Sequence, residues 1–305
     1  MTDQAQRPSR SPHTVAQRLL NASAANALDP HTDIDWSAPL LKDAFFWPPE
    51  RLALYGTPLW DRLDHQQRVA LSRHEVAHMA QMGHWFELAI IRMLARYLMS
   101  RRVLDVRAYY ALTEMADETR HITMFGRLLS RLGCPNRPVP ARIRLPHPVA
   151  AAAFQDITTF TSTLVVEEVL DRFQREAAQD ERIQPLVRSV CRLHVSEEAR
   201  HVSFARTELR EAVAHASRGH LAFHRTLTAL VASHTVPALL RPDRYGDIGI
   251  APALARRQVR ANPHHHATVL WSGEKLISFL LDADLIRRPQ HHLWRRCGLM
   301  ASTRQ

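Results

Sequence analysis

Asp117-Glu118-Thr119-Arg120-His121 and Glu197-Glu198-Ala199-Arg200-His201 share one pattern, acid-Glu-x-Arg-His, at an interval of 80 residues. On an α-helix a Glu and a His three apart lie on one face, so both side chains reach one point. A single Glu-x-x-His is a common accident in a charged helix; two with matching flanks are a repeat. The repeat extends upstream. Glu87 precedes Glu118 by 31 residues, and Glu167 precedes Glu198 by 31. If each interval folds as a helical hairpin, turning near Arg102 and near Glu181–Arg182, the two glutamates of each pair stand at equal depth, roughly 23 Å from their turn. Two such hairpins place Glu, Glu-x-x-His, Glu, Glu-x-x-His around one axis, the donor set of a dinuclear carboxylate metal site.

The helix faces agree. Glu87 lies on a stripe with Ala80, His84, Ile91, Leu94 and Leu98, and Glu167 follows Phe160 and Leu164 and precedes Leu170. An unpaired carboxylate is expensive to bury, whereas two divalent cations balance the four glutamates and neutral His adds no charge. The alternative, intrahelical ion pairs on solvated faces, does not explain six residues repeated in register. Asp117 and Glu197, four residues before His121 and His201, are placed to accept the outer ring N–H of those histidines, with Arg120 and Arg200 keeping them ionised. His194 stands four residues before Glu198 and seven before His201. Beside a metal site it reads as a seventh ligand rather than a core histidine. Its counterpart, Glu114, would be a fifth carboxylate and unbalance the charge, so a hydrogen-bonded or substrate-facing role is expected. Cys191 reads as a small core residue. Glu75, between His74 and His78, lies 43 residues before Glu118 and does not fit the hairpin geometry. His264–His266 and His291–His292 are expected to be exposed and without function.

The remaining sequence bounds the class. The chain has 305 residues, 46% of them apolar, enough for one sizeable core. Helical periodicity predicts helices from Asp64 to about Ser100, Leu104 to Leu132, Val149 to Gln179, Ile183 to about Ala216, Gly219 to about Ser233, and Ala267 to Leu285, with residues 237–252 irregular. Period-2 alternation is almost absent, so an all-α fold is expected, a four-helix bundle with flanking helices. Residues 1–35 are expected to form a mobile N-terminal arm with one short amphipathic piece near Val15–Leu28, 36–290 a single helical-bundle domain, and 291–305 a C-terminal tail. Within the domain, 36–60 should be an extended segment packed over the bundle. The net charge of +10 comes almost wholly from scattered arginines, Lys42 and Lys275 being the only lysines; this implies a solvated basic surface rather than nucleic-acid binding. Uncharged apolar runs long enough to span a membrane are absent. The N-terminus lacks a signal-peptide stretch, and three widely spaced cysteines read as reduced thiols, so a cytoplasmic location is expected.

The doubled motif, the additional histidine of His194-x-x-x-Glu198-x-x-His201, and Glu167 in Val-Glu-Glu-Val-Leu-Asp together resemble the para-aminobenzoate N-oxygenase family, over roughly Trp36 to Leu285. The resemblance implies that the bundle is ferritin-like and that the chain is a diiron enzyme that activates O2 to oxidise arylamine nitrogen in natural-product biosynthesis. Its expected metal ligands are Glu87, Glu118, His121, Glu167, His194, Glu198 and His201, with His194 also tuning catalysis. Two iron ions are the expected cofactor, manganese remaining compatible with the donor types. Electrons must come from an external reductase or ferredoxin, or from peroxide, because the chain shows no flavin or nicotinamide fingerprint. A homodimer is the expected assembly, and the substrate-binding residues are not identified. A ribonucleotide reductase small subunit would need a tyrosine where Phe125 stands, and an iron-storage ferritin lacks a third ligating histidine. A carbon hydroxylase or desaturase on the same scaffold, and a non-enzymatic helical binding protein, are the alternatives.

Overall fold

The computed structural model describes residues 11–134, 139, 155–240 and 245–301. Ten α-helices lie among them: α1 (Pro12–Ala25), α2 (Pro58–Asp61), α3 (His65–Met99), α4 (Val106–Leu132), α5 (Asp156–Gln179), α6 (Pro185–Ala214), α7 (Arg218–Leu240), α8 (Pro252–Ala261), α9 (Pro263–Asp282) and α10 (His291–Cys297). The described residues form no strand beyond an isolated bridge from Phe45 to Ile183.

Local sequence sets the ends of the long helices. Asp64 and Gln67 form a reciprocal capping box at the start of α3. Asp105 opens α4 by accepting from the backbone N–H groups of Arg107 and Ala108. Gly133 closes α4 in the left-handed region, at φ 59°, where glycine meets no Cβ penalty. Pro185 opens α6 at a position whose N–H is not needed. These boundaries lie within about two residues of those expected. For α5, the expected start at Val149 lies outside the described residues.

Helix α3 packs along α4 and α5 along α6, giving the two hairpins; α3 then meets α5 and α4 meets α6. Their relative register is pinned near the α3–α4 turn by buried Glu208 of α6. Its carboxylate accepts from Arg107 Nε at 2.7 Å, from Tyr97 Oη at 2.7 Å and from Arg101 at 3.2 Å. At the α5–α6 turn, Phe45 N–H donates to Arg182 O and Phe45 O accepts from Gln184 N–H. The segment 36–60 therefore lies over the bundle as expected, with Trp36, Phe46, Trp47 and Trp60 buried.

The described parts of both expected tails include a helix. Within the N-terminal arm, α1 buries Val15, Ala16 and Leu19 and packs on α4 and α6. At the other end α10 packs on α7, with Trp294 fully buried alongside Leu293, Cys297 and Leu299. The segment expected to be irregular begins later, since α7 runs through Pro237 to Leu240, and it ends at α8. His265 is buried and His264 donates from Nε2 to Glu50 O at 2.6 Å, against the expected exposure. Cys134, Cys191 and Cys297 form no disulfide among the described residues. None of the described helices is long and apolar enough to cross a membrane.

Because α10 is a core element, Trp294→Ala should lower the unfolding free energy by roughly 3–5 kcal/mol, read by denaturant melts of helical ellipticity. A dispensable tail predicts wild-type stability.

Candidate metal centre

The hairpins bring the repeated residues together at mid-bundle. Glu87 comes from α3, Glu118 and His121 from α4, Glu167 from α5, and His194, Glu198 and His201 from α6; all are buried. Of the tandem glutamates on α5, Glu168 turns away to pair with Arg206, its Oε1 accepting from Nε at 2.7 Å, which leaves Glu167 facing the cluster.

Donor atoms fall into two groups, each lying within 4.8 Å of one another: Glu87, His121, His194 and Glu198, and then Glu114, Glu118, Glu167 and His201. Glu118 and Glu198 reach both. Glu118 Oε2 accepts from His121 Nδ1 at 2.9 Å while Oε1 lies 3.1 Å from His201 Nδ1. Glu198 Oε1 lies 3.3 Å from His121 Nδ1 and Oε2 lies 3.3 Å from His201 Nδ1. Nδ1 of both motif histidines thus points inward and Nε2 outward.

The outward nitrogens show a crossed arrangement. His121 Nε2 meets Glu197 of the opposite motif at 2.9 Å, and His201 Nε2 meets Asp117 at 3.2 Å. The sequence reading paired each histidine with the acid on its own helix; the inter-helix pairing corrects it. The reason is geometric: Nδ1 is taken inward, so Nε2 projects across the α4–α6 interface. Arg120 and Arg200 stand over this exchange. Arg120 pairs with Asp117 and lies 3.4 Å from Glu197, while Arg200 lies 3.7 Å and 3.5 Å from the same two acids.

His194 is held differently. Its Nδ1 donates to Gln174 Oε1 at 2.7 Å, and its Nε2 lies 3.3 Å from Glu198 and 3.4 Å from Glu87. Burial lowers its pKa to about 4, so the imidazole is neutral. With the proton on Nδ1, the Nε2 lone pair faces the first cluster. Gln174 escaped the sequence reading, although its seven-residue spacing from Glu167 on α5 put it on the same face. Phe125 packs against His194, ring centroids 4.9 Å apart.

The charges fit a pair of cations. Burial raises the pKa of Glu87, Glu114 and Glu167 well above the usual carboxylate range, and neighbouring carboxylates add to it. Burial opposes charge on His121 and His201, but the surrounding carboxylates outweigh it and raise both. Neither oxygen of Glu114 or Glu167 accepts a hydrogen bond. Buried, unanswered oxygens converging from four helices are the donor set that metal ions satisfy.

Residues 9–284 match the family described as P-aminobenzoate N-oxygenase AurF. The chain belongs to this family. Uncharacterized proteins of Mycobacterium bovis and Mycobacterium tuberculosis are 28% identical over 200 residues, 63% of this chain. The matched stretch spans 59% of those relatives' length. A solved structure titled R2-like ligand-binding oxidase, with an aerobically reconstituted Mn/Fe cofactor, aligns over 90% of this chain and 93% of that one, at 17% identity and a TM-score of 0.50. The shared fold is the ferritin-like bundle.

The crossed pairing predicts the outcome of double-mutant cycles on thermal or denaturant stability. Asp117→Asn with His201→Ala, and Glu197→Gln with His121→Ala, should couple by about 0.5–3 kcal/mol. The same-helix combinations, Asp117 with His121 and Glu197 with His201, should couple less. The reverse order contradicts the crossed arrangement.

Proposed function

We propose that this chain binds two iron ions, with manganese as an admissible substitute, and uses dioxygen to oxidise the nitrogen of a small arylamine to the hydroxylamine, nitroso or nitro level. One observation supports this above the rest: a neutral His194, oriented by Gln174, adds a third imidazole to the two repeated Glu-x-x-His motifs. Family membership supports the same class of chemistry.

In this reading Glu87, Glu118, His121, Glu167, His194, Glu198 and His201 hold the ions. The bound pair supplies the redox capacity for dioxygen activation. Glu118 and Glu198, each directing its two oxygens to different clusters, would donate to both ions. Asp117 and Glu197 accept from the outer Nε2–H groups and keep each Nδ1 aimed inward, as outer partners of ligating histidines do. Arg120 and Arg200 hold those two acids ionised. His194 contributes a donor without negative charge. Burial of every one of these donors excludes bulk water from the reacting centre. Electrons come from an external reductase or ferredoxin, or from peroxide.

The test is incubation of the reduced, iron-loaded protein with a panel of arylamines under O2, with products identified by mass spectrometry. The expected products carry oxygen on nitrogen, and His194→Ala should abolish them while retaining most of the iron. Ring-hydroxylated or desaturated products from fully loaded protein would instead establish a carbon-oxidising enzyme. Unchanged products from His194→Ala would reduce His194 to a core residue.

A further inference from the structure

Four residues before each Glu-x-x-His stands one more side chain, Glu114 on α4 and His194 on α6. The two hairpins thus offer different donors at equivalent positions, and each donor enters a different cluster. Two imidazoles and two carboxylates make up the first, from Glu87, His121, His194 and Glu198; one imidazole and three carboxylates make up the second, from Glu114, Glu118, Glu167 and His201.

Glu114 has no other visible purpose. It is 0% exposed, and among the described residues neither carboxylate oxygen has a hydrogen-bond donor. The arginines closest in sequence to the motifs, Arg120 and Arg200, are directed to Asp117 and Glu197. His201 of the same cluster offsets part of its charge, yet a buried carboxylate without a hydrogen bond remains strongly unfavourable. The hydrogen-bonded role expected from the sequence is therefore not what the structure shows. The sequence argument against ligation was one of charge, since a fifth carboxylate leaves one negative charge over when two divalent ions are bound. That excess is removed when one ion of the pair is trivalent, so the objection holds for one oxidation state only.

We propose that Glu114 is a ligand to the ion in the second cluster, making the two metal positions inequivalent, one imidazole-rich and one carboxylate-rich. The inference rests on the reading that the clusters hold two ions, and adds to it an eighth donor and a distinction between the positions.

Anaerobic Fe(II) titration of the full chain, with the thermal midpoint recorded before and after loading, tests it. The wild type should bind two ions in two resolvable steps. Glu114→Gln preserves size and removes the charge. It should leave the metal-free chain at least as stable, weaken one step about tenfold or more, spare the other, and shrink the rise in midpoint on loading. Glu114→Asp, which keeps the charge but withdraws the carboxylate by one methylene, should weaken the same step less than Glu114→Gln does. Glu75→Gln changes a buried carboxylate outside both clusters, one that accepts from Ala53 N–H, and should leave both steps unaltered. Wild-type affinity at both steps in Glu114→Gln overturns the proposal, as does equal weakening by Glu75→Gln. Fewer than two ions in the wild type would defeat the dimetal reading itself, a result distinct from either.

Discussion

Five glutamate side chains meet in the middle of a helical bundle where water does not reach them, and only two motif histidines and one further imidazole stand among them. Charge of one sign gathered in a low-dielectric interior is the dominant physical constraint on this molecule. Desolvation alone disfavours each carboxylate, and mutual repulsion adds to the cost. Hydrophobic burial elsewhere must stabilise the fold against it until cations restore balance. The scaffold is arranged so that the acids cannot escape by rotating outward. Glu208 ties the first hairpin to α6 through Arg101, Arg107 and Tyr97, and Gln184 ties the second turn to the segment around Leu41 and Ala44.

The outer layer follows from the inner one. Because Glu118 and Glu198 each face both clusters, His121 and His201 turn Nδ1 inward and send Nε2 across the interface. Asp117 and Glu197 consequently serve the neighbouring helix, and the two arginines neutralise that pair of acids. A charge pattern that alternates inward from arginine to acid to imidazole to carboxylate spreads the electrostatic penalty over several hydrogen bonds. His194 lies outside this scheme. It has a neutral amide partner, Gln174, and an aromatic neighbour, Phe125, and its character is that of a neutral donor.

Much of this was legible in the sequence. Equal 31-residue intervals put the glutamates at one depth, because helical rise converts sequence spacing into depth, while the two clusters join Glu87 with Glu198 and Glu118 with Glu167 across the hairpins. The caps at Asp64, Asp105 and Gly133 are local chemistry, and the helix ends beside them were legible to within about two residues. The crossed pairing was not legible, since it depends on ring orientation and on the rotation of α4 against α6. Charge arithmetic assuming two divalent ions set Glu114 aside as a ligand, and its burial within the second cluster is what the structure adds. Helix α1 was legible only as a short amphipathic piece near Val15–Leu28, and α10 was missed, because their apolar positions are few: Val15, Ala16 and Leu19 in one, Leu293, Trp294 and Cys297 in the other. Such short amphipathic pieces gain their stability from packing rather than from propensity, and the packing partner is invisible in the sequence.

The central claim is that two metal ions occupy these two clusters side by side. Anomalous diffraction at the iron edge from crystals of the iron-loaded protein tests it directly. The account predicts two peaks per chain, about 3.5–4 Å apart, one beside His121 and His194 and the other beside His201 and Glu167. A single peak, or peaks elsewhere such as beside His264 and His265, would contradict it.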